Sequence, residues 1–274
     1  MATQTACRTA GRSQPAFGFD HLSFSAISLF QNCPLRFFYR YILGLPEETV
    51  AASLVLGSAL HQAAQYHFEQ LLAGEPPPDL DTLLAVFQEH WQRYEPETIQ
   101  YGRSENRDTF GRLADRMLRA FRDSDFAHPD GVILGIEEEL RGEFVSGCPE
   151  LLARVDLLVD MGDELRLLDF KTSRSAWSTG KVEEAAPQLL LYSELAKTLA
   201  DGKPLRLCFA VLTKAQLPVL TMHDVSLNAQ QLERTKRTVE RVWHAIQSGH
   251  FYPAPSPLQC PSCPYREPCR AWTG

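Results

Sequence analysis

The chain has 274 residues, of which 44% are hydrophobic and 22% charged, a balance that suits a protein with a sizeable core and excludes wholesale disorder. With 27 basic against 34 acidic residues the formal net charge is −7. That excludes a histone-like basic coat but not a local basic track, because screening confines a charge's reach to about 8–10 Å.

No apolar run approaches the roughly 20 residues of a membrane helix. Residues 1–18 are polar and lack the apolar stretch of a secretory leader. These features predict a soluble, cytoplasmic protein with a flexible N-terminus over 1–22.

A first helix is predicted over 23–43, opened by Ser23 or Ser25 and closed by Gly44 with Pro46. Helices follow over 51–72, which the Pro76-Pro77-Pro78 run ends, then over 79–94 and 104–122. The second half changes character. Strands are predicted over 131–144, 151–160 and 164–171, the last two joined by a Met161-Gly162-Asp163 turn. A helix over 183–200 contains Pro187, tolerable only in a first turn. Strands over 205–213 and 219–225 precede a last helix over 228–248. The tail is rich in Pro and Cys and cannot fold on hydrophobic burial alone. This order predicts an α/β fold, a mixed central sheet flanked by helices. The domain plan is a helical lobe over 23–130, a sheet-bearing core over 131–249 and a Cys-rich tail over 250–274.

The chemistry concentrates in Leu152-Ala-Arg-Val-Asp156 and Leu167-Leu-Asp169-Phe-Lys171-Thr172. On a strand, Asp169 and Lys171 share a face, and Asp156 sits on the other arm of the predicted hairpin. Two converging carboxylates hold a hard divalent cation, which lowers the pKa of a bound water and neutralises charge on a phosphate. The lysine orients that water or stabilises the oxyanion. Asp-x-Lys is also a common solvated pair, so its meaning depends on Asp156. On the next helix Gln188 and Tyr192 share a face and suit phosphate or base contact. His61, in Gly57-Ser-Ala-Leu-His61, is a candidate ligand if its helix packs over the strand ends, and imidazole beside carboxylates suits Mn²⁺.

Of seven cysteines, Cys7, Cys148 and Cys208 look unconnected, whereas Cys260-Pro-Ser-Cys263 and Cys269 have metal-ligand spacing. Cys33, in Asn32-Cys33-Pro34, is the natural fourth ligand. Closure through it clamps the tail onto the first helix. An iron–sulfur cluster and a zinc site share this ligand set, and spacing does not separate them. On the 104–122 helix, Arg112, Arg116, Arg119 and Arg122 form a cationic stripe opposite Phe110, Leu113, Ala114, Met117 and Phe121. It is a candidate DNA-binding face.

These residues together resemble the RecB-like branch of the PD-(D/E)XK nuclease superfamily, which includes AddB-type nuclease domains and CRISPR-associated RecB-like exonucleases. Phe24-Ser25-Ala-Ile-Ser28 with Cys33-Pro34-Leu-Arg-Phe37-Phe-Tyr39 is similar to the first-cysteine motif, and Gly57-Ser-Ala-Leu-His61 to the Gly-x-x-x-His motif. Asp156 and Asp169-Phe170-Lys171 resemble the divided catalytic signature, Gln188 and Tyr192 the Gln-x-x-x-Tyr motif, and Cys260, Cys263 and Cys269 the trailing cysteines. Val155 stands where the superfamily name has proline.

The resemblance implies a restriction-endonuclease-like core. It implies that His61, Asp156, Asp169 and the Phe170 carbonyl bind Mg²⁺ or Mn²⁺, that Lys171 is catalytic, and that Cys33, Cys260, Cys263 and Cys269 hold a [4Fe–4S] cluster rather than zinc. A further acid often precedes the signature, and Glu137, Glu138 and Glu139 all compete for that place. The function implied is a metal-dependent deoxyribonuclease, an exonuclease on single-stranded ends, in DNA repair and recombination or CRISPR adaptation. A separate helicase or integrase is the expected partner, since no Gly-x-x-x-x-Gly-Lys-Ser/Thr loop is present. Two other readings are a catalytically inactive DNA-end-binding iron–sulfur module and a zinc-stabilised interaction scaffold.

Overall fold

Two kinds of periodicity sort the chain into layers. The computed structural model of the protein describes residues 19–274; Cys7 and most of the expected flexible N-terminus lie outside them. Apolar residues fill β7 (Leu205–Thr213) almost without alternation, and Leu207 to Thr213 are all buried. That is the pattern of a strand covered on both faces. It lies between β6 (Leu165–Ser173), which it pairs in parallel, and β8 (Leu220–Val225), which it pairs antiparallel.

On the other side of β6 come β5 (Glu150–Asp160), antiparallel to β6, and β4 (Val132–Gly142), antiparallel to β5. A three-residue strand, β1 (His21–Ser23), completes the six-stranded sheet by pairing in parallel with Glu150–Leu152 of β5. The predicted strands thus meet in one mixed sheet. β1 was not predicted, because three residues carry no period.

One face of the sheet is covered by α1 (Phe24–Asn32), α6 (Thr179–Ala196) and α7 (Ala229–Gln247), through a core that includes Ile27, Leu189 and Ile246. The other is covered by α3 (Ala52–Leu72), α4 (Leu80–Trp91) and α5 (Arg107–Arg122), through Leu60, Phe87 and Phe121. Capping fixes where helices begin: Asp79 accepts from the Thr82 N–H, and Asn106 and Thr109 form a reciprocal box. A two-stranded ribbon, β2 (Val50–Ala51) with β3 (Ile99–Gln100), sits beside α3. Among the described residues no helix is long and apolar enough to cross a membrane.

Two predicted helices need correction. The 23–43 helix is broken: α1 ends at Asn32, Cys33 is extended (φ −160°), and α2 (Pro34–Phe37) starts afresh before a widened turn over Phe38–Ile42. A residue before proline avoids the helical region, so Cys33-Pro34 stops the first run. The break turns Cys33 towards the C-terminal tail.

The second correction concerns Pro187. α6 begins at Thr179, capped by Ser178, so the proline lies well inside it. An interior proline costs about 3 kcal/mol and orphans a carbonyl. Here Gln231 Nε2 of α7 donates to the freed Glu183 carbonyl at 3.4 Å. Leu189, Leu190 and Leu191 are fully buried just beyond, and each such burial contributes about 1.5–3 kcal/mol, so packing outweighs the proline.

Candidate active site

The site lies where the sheet opens. β5 and β6 pair from Asp160↔Leu165 only as far as Leu157↔Leu168, whereas β6 stays on β7 through Ser173. β1 takes up the same edge of β5 five residues further back, at Leu152. The strands therefore part at Asp156 and Asp169. Asp156 fills the break: its Oδ2 accepts the Phe170 N–H at 2.6 Å, a bond that the ladder no longer supplies.

β5 also changes face there. Val155 packs with the α1, α6 and α7 core, and Leu157 with the α3, α4 and α5 core. Strict alternation would put them on one face. Across the seam, between the pairs Ile136↔Leu157 and Glu138↔Val155, Glu137 adopts φ +50°. For a glutamate this left-handed conformation is costly and marks a local constraint. Its effect is to bring the Glu137 carboxylate to Asp156 and His61, with one ligand atom from each within 4.8 Å of the others. Glu137 is thus the member of the acidic triplet that reaches the site.

His61 arrives from α3. Gly57 sits one turn earlier, where a Cβ would meet Thr172 Oγ1 of β6 at 3.2 Å, so its lack of a side chain lets α3 lie close on the strand. His61 Nδ1 then stands 3.7 Å from Asp156 Oδ2, its ring 5.0 Å from that of Phe170 and within hydrogen-bonding reach of the Phe170 carbonyl. Burial pushes its pKa down to about 4, with the Lys171 charge adding to the effect. The imidazole is neutral at pH 7, the form that ligates metals.

Asp169 is 1% exposed. One oxygen takes Gln188 Nε2 at 2.8 Å and the other lies 2.6 Å from Lys171 Nζ. Gln188 Nε2 also donates to the Tyr192 hydroxyl at 3.0 Å, which engages both amide hydrogens and leaves the Gln188 carbonyl to accept. Burial pushes the Tyr192 pKa up to about 12, so the hydroxyl keeps its proton and can donate it. Burial opposes the Lys171 charge, but Asp169 and Asp156 outweigh it and the pKa rises. Lys171 is therefore a standing cation and hydrogen-bond donor, unsuited to act as a base.

Burial raises the pKa of Asp156, Asp169 and Glu137, and the Asp169 charge pushes Asp156 and Glu137 further in the same direction. Three crowded acids with one lysine among them are a donor set short of positive charge, with hard oxygen and neutral imidazole ligands. That set fits Mg²⁺ or Mn²⁺. A carboxyl whose pKa is higher folded than unfolded disfavours folding increasingly as pH rises through the folded value. With metals chelated, Asp156→Asn is expected to raise the melting temperature by about 2–4 °C at pH 8. The gain should shrink towards pH 5, as calorimetry at both pH values would show. Equal melting at pH 8 would contradict the strain assigned to Asp156.

The cysteines gather at a second place. Tyr265 is buried with Leu35 and Tyr39, and Cys33, Cys263 and Cys269 pack against this small core. Tyr39 donates to the Pro268 carbonyl at 3.0 Å and Tyr265 to the Leu45 carbonyl at 3.1 Å, which ties the tail to the α2 region. Burial and the charges of Cys33, Cys263 and Cys260 all push the Cys269 thiol up, so the four thiols share one neighbourhood. Cys208 is buried in β7.

Arg119 is held by Asp115 at 3.0 and 3.1 Å, Arg116 donates to the Arg112 carbonyl, and Arg112 lines a separate hollow between α4 and α5.

The family model of the PD-(D/E)XK nuclease superfamily matches residues 21–270. The chain belongs to that superfamily, and membership supports a nuclease, which implies DNA as its substrate. Nucleases of this kind use divalent metals, and His61, Glu137 and Asp156 form a group that could hold one.

Among solved structures, the chain is similar to a "Putative exonuclease" from Eubacterium rectale, with 14% identity, a TM-score of 0.57, and coverage of 92% of this chain and 88% of that one. This likeness shows the fold, a restriction-endonuclease-like core. A weaker likeness is to the structure of SSO0001, with 14% identity, a TM-score of 0.38, and coverage of 87% and 94%. A search of curated proteins finds no match.

Proposed function

We propose that the protein is a Mg²⁺- or Mn²⁺-dependent deoxyribonuclease of the RecB-like branch that degrades single-stranded DNA from its ends. The observation that carries this reading is the meeting of Asp156, Asp169 and Lys171 at one opening in the sheet, with Gln188 bonded to Asp169. His61, Glu137, Asp156, Asp169 and the Phe170 carbonyl would hold the cation. A cation held there supplies Lewis acidity, activating a water at neutral pH and offsetting charge that builds on the phosphate.

The chain's own groups do the rest. Asp169 fixes Lys171 and Gln188 in place. The Lys171 ammonium orients the attacking water and stabilises the oxyanion, the Gln188 carbonyl accepts a hydrogen bond from that water, and Tyr192 donates to a phosphate oxygen. In this reading 23–130 is a lobe that delivers His61, 131–249 the catalytic core, and 250–274 a closing tail. We assign a [4Fe–4S] cluster to Cys33, Cys260, Cys263 and Cys269, supported by the likeness of Cys33 and the three trailing cysteines to the cysteine motifs of the RecB-like branch. The cluster is structural, because hydrolysis moves no electrons. Such a cytoplasmic activity serves DNA repair and recombination or CRISPR adaptation, beside a separate helicase or integrase.

The test is incubation of end-labelled linear single-stranded and duplex DNA, and of internally labelled circular single-stranded DNA, with the protein in Mn²⁺ and in EDTA. Shortening of the linear single strand alone, and only with metal, is expected. No loss of any substrate in Mn²⁺ would favour an inactive end-binding module, and loss of the circle would remove the exonuclease assignment.

A further inference from the structure

Past Lys171, Gln188 and Tyr192 the opening continues as a groove of about 650 Å³ between α1 and β5. Its α1 wall presents Ser25, Ser28 and Asn32, spaced to share one helix face, and Arg154 of β5 stands across from them. Phe24 and Tyr41 add aromatic surface. Among the described residues no aspartate or glutamate lines this groove, in a chain where acids outnumber bases 34 to 27. By contrast, the larger groove between α6 and α7 is lined by Glu183, Asp224 and Glu233 together with Arg234 and Arg237. Arg154 is paired only with Glu139 among the described residues, at 3.5 Å with both side chains more than half exposed. Such a pair holds its partners weakly. At the far end Asn32 meets Gln259 at 3.5 Å, beside Cys33 and Cys260, so the groove runs from the acids to the cysteine-bearing tail.

A channel with cations at Lys171 and Arg154, hydroxyl and amide donors between them, aromatic surface and no acids suits a flexible polyanion with flat bases. Phosphate oxygens accept from Arg, Ser and Asn, and bases stack on aromatic rings without regard to sequence. We propose that this groove seats the substrate strand next to the scissile phosphate, with Ser25, Ser28, Asn32 and Arg154 holding its backbone. The inference rests on the nuclease reading above and adds residues which that reading did not use.

The test is fluorescence anisotropy of a labelled oligothymidylate with the full chain in Ca²⁺, across a salt series. Arg154→Gln is expected to weaken binding about fivefold at low salt and to flatten the salt slope by about 0.7, the value of one lost phosphate contact on a single strand. Ser28→Phe, which fills the groove, is expected to weaken it more than tenfold with the slope retained. Arg237→Gln, in the acid-lined groove, is expected to bind as wild type. Circular dichroism checks folding, and the exposed Arg154 keeps the test valid if Ser28→Phe misfolds. Unchanged binding by Arg154→Gln, an equal loss in Arg237→Gln, or no binding by wild type would overturn the groove. The expected losses in a protein that cleaves nothing in Mn²⁺ would support the groove and sink the nuclease reading. Cleavage with unchanged variant affinities would do the reverse.

Discussion

Asp169→Asn is expected to lower the single-turnover rate of strand cleavage by about 10³-fold or more. One oxyanion donor alone is commonly worth about 10²–10³, and Asp169 organises two groups, at 2.6 Å to Lys171 and 2.8 Å to Gln188. The asparagine is nearly isosteric and can still bond Gln188, so the fold should survive. What disappears is the charge that keeps Lys171 cationic and helps bind metal. Chemical quench with a labelled single strand in saturating Mn²⁺ measures the loss. A decrease below about tenfold would show that Lys171 and Gln188 are held by something else.

Cys263→Ala is expected to act on stability instead. Metal–thiolate closure of a small module contributes on the order of 10 kcal/mol or more in zinc peptides. The tail here has little else, since Tyr265 is the one buried residue after Ile246. Even about 4 kcal/mol corresponds to a melting temperature lower by about 10 °C. The variant should also lose iron and the absorbance near roughly 400 nm that bleaches on reduction. Asp169→Asn should keep both, which separates the two centres. Colourless wild-type protein with stoichiometric zinc would refute the cluster.

Much of the fold was legible because its strands and long helices repeat cleanly. The strand predicted over 205–213 is β7 to the residue, and the helix predicted over 51–72 differs from α3 by one position. Asp169 and Lys171 could be placed on one face by period two alone, and Gln188 and Tyr192 by helical spacing. What escaped depended on tertiary contact. β1 exists only because β5 has an edge to offer. Pro187 is accommodated by Gln231 from another helix. Glu137 could not be chosen over Glu138 and Glu139, because the β4–β5 register shifts between Ile133 and Gly135 and Glu137 itself is left-handed. Alternation counted along β4 gives no guide through two such irregularities.

The shared-cation site can be examined by soaking crystals in Mn²⁺ and collecting data on the low-energy side of the iron edge, where manganese still scatters anomalously and iron does not. A strong peak bounded by His61, Glu137 and Asp156, lost in Asp156→Asn, is the expected result. An anomalous map with no peak between those three side chains, from protein that binds Mn²⁺ elsewhere at saturation, would contradict it.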